Sequence, residues 1–134
     1  MKTVARHLAC AGAIFGTLTF ALTPLRADIK DYEFQLVQTE VKKGDGAIVA
    51  VRLMNKKTGK PVPDAVIFAK RIDMAPDGMA SMAETIEQMP VQEPGVYRFK
   101  TNLTMAGRWQ LSLGAKVQGE TGSVESKLIL KATP

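Results

Sequence analysis

The chain is 134 residues long, room for one domain and not for a multidomain enzyme. With 23% charged, 46% hydrophobic and 6% aromatic residues it has the balance of a compact soluble fold, which excludes disordered, collagen-like and multi-span membrane classes. The formal charge is +5, with one His and one Cys, and the positions of those residues decide how much of the charge and chemistry belongs to the folded part.

Residues 1–27 read as a secretory signal peptide. Lys2 and Arg6 precede an uncharged run from Leu8 to Leu22, and Pro24 and Ala27 supply the helix stop and the small residue before a cut. That run falls short of the ~20 residues needed to cross a bilayer, so retention as an anchor by residues 8–22 is the lesser alternative. Cys10 stands at the start of the run, the wrong end for a lipoprotein attachment site. Removal of this segment takes away the only His, the only Cys and three basic residues, leaving residues 28–134 as a single domain with 15 basic and 13 acidic residues. A net charge of +2 on an exported domain removes the electrostatic case for nucleic acid. Without Cys or His there is no disulfide, thiol nucleophile, imidazole base or conventional zinc site.

Along the expected mature chain, alternating patterns mark strands. Tyr32, Phe34 and Leu36 come first, then Val49, Val51 and Leu53, then the stretch Ala65–Ile72. Tyr97 and Phe99 lie in a fourth strand, Trp109, Leu111 and Leu113 in a fifth, and Val124, Leu128 and Leu130 in the last. Glycine- and proline-bearing turns separate them at Lys43–Gly46, Lys57–Pro61, Glu93–Gly95 and Gly119–Gly122, and the prolines of Lys56–Ala65 suit a rigid crossover. The expectation is an all-β, antiparallel sandwich of about six to seven strands. One segment has a rival reading, because Met79, Met82, Ile86 and Met89 also fall at helical spacing over Ala80–Met89.

The same region carries the chemistry. Between Arg71 and Arg98 there is no basic residue, but there are Asp73, Asp77, Glu84, Glu87 and Glu93 together with Met74, Met79, Met82 and Met89. A thioether is neutral, polarizable and free of protons at physiological pH, and it selects Cu(I), and by the same softness Ag(I), over zinc or iron. Methionine is also a flexible filler of cores, so packing and coordination both fit the pattern. Pro76 and Gly78 make a loop between Met74 and Met79, and Met105 lies in a turn before Trp109. If the two turns share an end of the sandwich, Met105 joins the set. Trp109 then either covers the cation or, following its parity with Leu111 and Leu113, fills the core. Met54 stands apart at a strand end.

The order Ile72-Asp73-Met74 with Met79 and Met82, then Pro94-Gly95-Val96-Tyr97, then Met105-Ala106-Gly107-Arg108-Trp109-Gln110-Leu111, resembles the YtkA-like domain over roughly residues 30–131. Related domains occur in FixH-type proteins and beside heavy-metal efflux adaptors. The resemblance implies an immunoglobulin-like sandwich outside the cytoplasm, linked to copper or other heavy-metal handling. It carries over Met74, Met79, Met82 and Met105 as metal ligands, with Met89 added from spacing. Many members pair these with a histidine, which residues 28–134 lack, so the monovalent ion is the one served.

The functional expectation is a non-enzymatic periplasmic protein that holds Cu(I) or Ag(I) at Met74, Met79, Met82, Met89 and Met105, for trafficking to a membrane or periplasmic metal-transport protein or for sequestration. The alternative is a non-catalytic adaptor whose methionine-rich surface binds a partner protein. No small-molecule substrate is evident. Ser81, Ser112, Ser123 and Ser126 have no spacing that suggests activation, and Asp73 and Asp77 are the nearest approach to a carboxylate pair.

Overall fold

Apolar side chains at every second position can be buried by stacking one sheet on another, and the described residues do this with ten strands. The computed structural model describes Gly16 and residues 29–134; the expected leader, Gly16 apart, lies outside the described residues. The strands are β1 (Tyr32–Leu36), β2 (Glu40–Lys42), β3 (Gly44–Asn55), β4 (Lys60–Pro61), β5 (Val66–Met74), β6 (Met79–Glu84), β7 (Ile86–Gln88), β8 (Val96–Leu103), β9 (Gly107–Lys116) and β10 (Val124–Thr133). Sheet I has the order β1-β3-β8-β7, with β4 on the end of β3, and sheet II the order β2-β10-β9-β5-β6. All pairings are antiparallel except β2 with β10.

The fold class agrees with the sequence reading, but the count of six to seven strands is corrected to ten. Of the additional elements, β2, β4 and β7 are two or three residues long, too short to show a period of two, and in β6 a bulge interrupts it. The helical alternative over Ala80–Met89 is overturned, because that segment forms β6 on β5 and β7 on β8 and crosses between the sheets at Thr85. Its helical spacing has a strand explanation. Met79 pairs with Met74 while Ala83 pairs with Asp73, so three extra residues bulge out and bring both Met79 and Met82 against the core.

Sheet I contributes Val49, Val51 and Leu53 from β3 and Tyr97, Phe99 and Leu103 from β8 to the interior. Sheet II contributes Ile72 and Met74 from β5 and Trp109, Leu111, Leu113 and Ala115 from β9. Each large apolar side chain buried in this way is worth about 1.5–3 kcal/mol, so β3, β8 and β9 dominate the stability. Thr101 is the polar exception on the inner face of β8, and its hydroxyl donates to the Thr85 carbonyl at 2.7 Å, pinning the crossing between β6 and β7.

Candidate metal site

The methionine end is built by two connections that meet. After Met74, a one-turn 3-10 segment (Ala75–Asp77) starts with Pro76 in its first positions and ends at Gly78, whose left-handed backbone sends the chain back into β6. Asp73 fixes the entrance: one carboxylate oxygen accepts the Ala75 N–H at 2.9 Å, and the other accepts Arg71 Nε at 2.8 Å. The Arg71 guanidinium also donates to the Ala80 carbonyl at 2.9 Å, bracing the bulge in β6.

Asp77 then clamps this connection to the turn between β8 and β9. Its Oδ2 accepts the Arg108 N–H at 2.7 Å, its Oδ1 accepts Arg108 Nε at 2.9 Å, and Arg108 Nη2 donates to the Pro76 carbonyl at 2.8 Å. The Arg108 backbone N–H, followed by its guanidinium, holds the Asp77 carboxyl below the usual aspartate range. On the other flank, the Thr104 hydroxyl donates to Glu84 at 3.3 Å. Within the turn, Trp109 Nε1 donates to the Met105 carbonyl at 3.1 Å. Trp109 is fully buried, so its ring belongs to the core.

These contacts bring four of the five expected residues to one end, in graded burial. Met74 is 1% exposed and packed in the core. Its methyl lies against Gly107, where a Cβ would stand 2.8 Å from that methyl and 2.7 Å from Asp77 Oδ2. Met79, cross-strand from Met74, and Met82, in the bulge, are half-buried against the core. Met105 is 40% exposed at the tip of the turn. Met89 is not brought there. Its N–H donates to the Arg98 carbonyl on sheet I, five residues before Leu103, which places it about 17 Å along β8 from the turn.

The acidic surroundings differ from the expected negative loop, since Asp73 is taken up by Arg71 of its own strand and Asp77 by Arg108 of β9. Among the described residues no group of three or more His, Cys, Asp or Glu is placed to hold a metal. Sequence reasoning missed the clamp because Asp77 and Arg108 are 31 residues apart. The available signal was Gly107, a glycine directly before the arginine in a turn that needs close approach.

Comparison with known proteins gives a family and little more. No curated protein matches the chain. Among solved structures, the ZirS C-terminal domain is similar at 12% identity and a TM-score of 0.45, with 100% of this chain and 82% of that one covered. The YtkA-like family model matches residues 26–114, which include β1 to β8, the Asp77–Arg108 clamp and most of β9. The chain belongs to the YtkA-like family.

Proposed function

We propose that this chain is an exported, non-catalytic metal-binding protein of the periplasm that carries Cu(I) or Ag(I) as cargo. The thioethers of Met79, Met82 and Met105 hold the ion, and the buried Met74 supports them from the core. The observation that carries this reading is the meeting of the β5–β6 connection and the β8–β9 turn at one end, fastened by Asp77 and Arg108, with sulfur-bearing side chains on both sides of the junction. Three neutral soft donors suit a monovalent ion and offer little to zinc. The cargo passes to a membrane or periplasmic transport protein, or is sequestered. No step of this function requires a catalytic group.

The test is competition for Cu(I) against a chromogenic chelator, with Ag(I) titration alongside. Converting Met79 and Met82 together to Leu should abolish uptake while the thermal midpoint stays within a few degrees, since Met-to-Leu swaps conserve volume. Thioethers bind no competing proton, so uptake should be the same at pH 5 and pH 8. A double variant that still takes up the ion, or uptake that collapses at pH 5, removes the proposal. A second reading, a methionine-rich surface for a partner protein, is favoured by Met105, 40% exposed at the same end as the half-exposed Met79 and Met82. Under it the Leu variant keeps its partner.

A further inference from the structure

The methionines of the described residues are graded in their access to solvent, and the gradient singles out one of them. Met74 is buried, Met54, Met79, Met82 and Met89 are half-buried, and among the described residues Met105 alone is exposed, at 40%. Its backbone, by contrast, is held. The Met105 carbonyl accepts the Trp109 indole N–H at 3.1 Å, the Thr104 hydroxyl before it donates to Glu84, and Arg108 beyond it is clamped by Asp77. A reagent in solvent therefore meets the Met105 sulfur first, and none of these hydrogen bonds uses that sulfur. Met74 is the opposite case, because its methyl stands against Gly107 and an oxygen added to its sulfur would have to be buried.

We propose that Met105 is a site of reversible oxidation, and that its sulfoxide switches off ion uptake at the methionine end. The second half of this rests on the cargo reading above. The co-reactant is a two-electron oxidant such as hydrogen peroxide. Its O–O bond breaks, one oxygen forms an S–O bond with the Met105 thioether, the sulfur gives up two electrons, and the other oxygen leaves as water with both protons. The product presents a hard, polar oxygen where the thioether presented a soft sulfur, so Cu(I) and Ag(I) lose a donor. A methionine sulfoxide reductase reverses the step with a dithiol, which is oxidised to the disulfide as the oxygen leaves as water. The exposure that admits an ion to Met105 admits the oxidant and the reductase as well.

The test exposes the purified protein to hydrogen peroxide, follows each sulfoxide in time by mass spectrometry of the digest, and then measures Ag(I) uptake. Met105 should oxidise about tenfold faster than Met79 or Met82, with Met74 spared while the chain stays folded. Protein oxidised at Met105 alone should take up Ag(I) about tenfold more weakly, and recover after treatment with the two stereospecific methionine sulfoxide reductases. Trp109 is the one tryptophan of the chain, and unchanged emission from it separates loss of a donor from loss of the turn. Met79 or Met82 oxidising as fast as Met105, uptake that survives Met105 oxidation, or an emission that shifts along with the loss overturns the proposal. Unoxidised protein that takes up no Ag(I) removes the cargo reading and the switch with it, so the two failures are told apart.

Discussion

The two ends of the sandwich are fastened by the same device made from different chemistry. At the methionine end, a carboxylate, Asp77, reaches from one connection to the backbone and side chain of Arg108 in another, over Gly107. At the opposite end, a phenol does the reaching: the Tyr97 hydroxyl donates to the Val62 carbonyl at 2.7 Å and accepts the Ala65 N–H at 3.0 Å, tying the proline-bearing crossover to β8. There too a glycine makes the approach possible, since Gly95 has φ of 81° and a Cβ on it would collide with Pro61. The Tyr97 end is stiffened by Pro61 and Pro63 and joined by neutral hydrogen bonds. The Asp77 end is held by an ion pair whose Asp77 side chain is 27% exposed, and it leaves thioethers unspent. One end closes the fold. The other fixes two connections while keeping donors for a ligand.

The contrast is broken most directly at the closed end. Gly95→Ala combines a left-handed backbone with a collision against a ring that cannot turn aside, so we expect a loss of about 3 kcal/mol, measured by urea unfolding. The matching change at the other end, Gly107→Ala, also meets a positive φ, of 144°, but its Cβ would press on side-chain ends, those of Met74 and Asp77, and not on a ring and backbone. It should cost less, about 1–2 kcal/mol, and should lower Ag(I) uptake by displacing the Met74 thioether and the clamp.

Tyr97→Phe falls between them. It leaves the Ala65 N–H and the Val62 carbonyl without their partner, a loss of about 2 kcal/mol. It also carries a pH signature. Burial raises the Tyr97 hydroxyl above its ordinary value of 10.0. A group whose proton is held more tightly in the folded state contributes stability below the unfolded value and loses it as pH rises through the folded one. Wild-type stability should therefore decline above pH 10 by a component that Tyr97→Phe lacks, read from thermal midpoints between pH 8 and 11.

How much of this was legible in the chain depended on range. Trp109, Leu111 and Leu113, or Tyr97 and Phe99, announce their faces by local alternation, and all five are buried. Met74 and Met105 were assigned to a shared end only conditionally, because the condition rests on Asp77 meeting Arg108 across 31 residues, and no local pattern encodes that. The spacing of Met79, Met82, Ile86 and Met89 left a helix open as a rival, because the bulge in β6 puts Met79 and Met82, three residues apart, on one side. The outward turn of Phe68 was hidden for a related reason, since only the register shift beside Gly114 sets its ring on the outer face.

The smallest expected effect gives the sharpest control on the methionine end. Met89 belongs to the same stretch of sequence as Met79 and Met82 and has the same chemistry, but its backbone is tied to Arg98 on sheet I, about 17 Å along β8 from the Met105 turn. A thioether must come within a few ångströms of an ion to bind it, so membership of a methionine-rich segment counts for nothing unless the fold brings the sulfur in. Met89→Leu should leave Ag(I) uptake unaltered and change stability by less than about 1 kcal/mol. Met105→Leu, equally mild for the fold at an exposed turn, should weaken uptake at least tenfold. Equal losses from the two variants would mean that the ion is gathered by composition and not by the junction that Asp77 and Arg108 hold together.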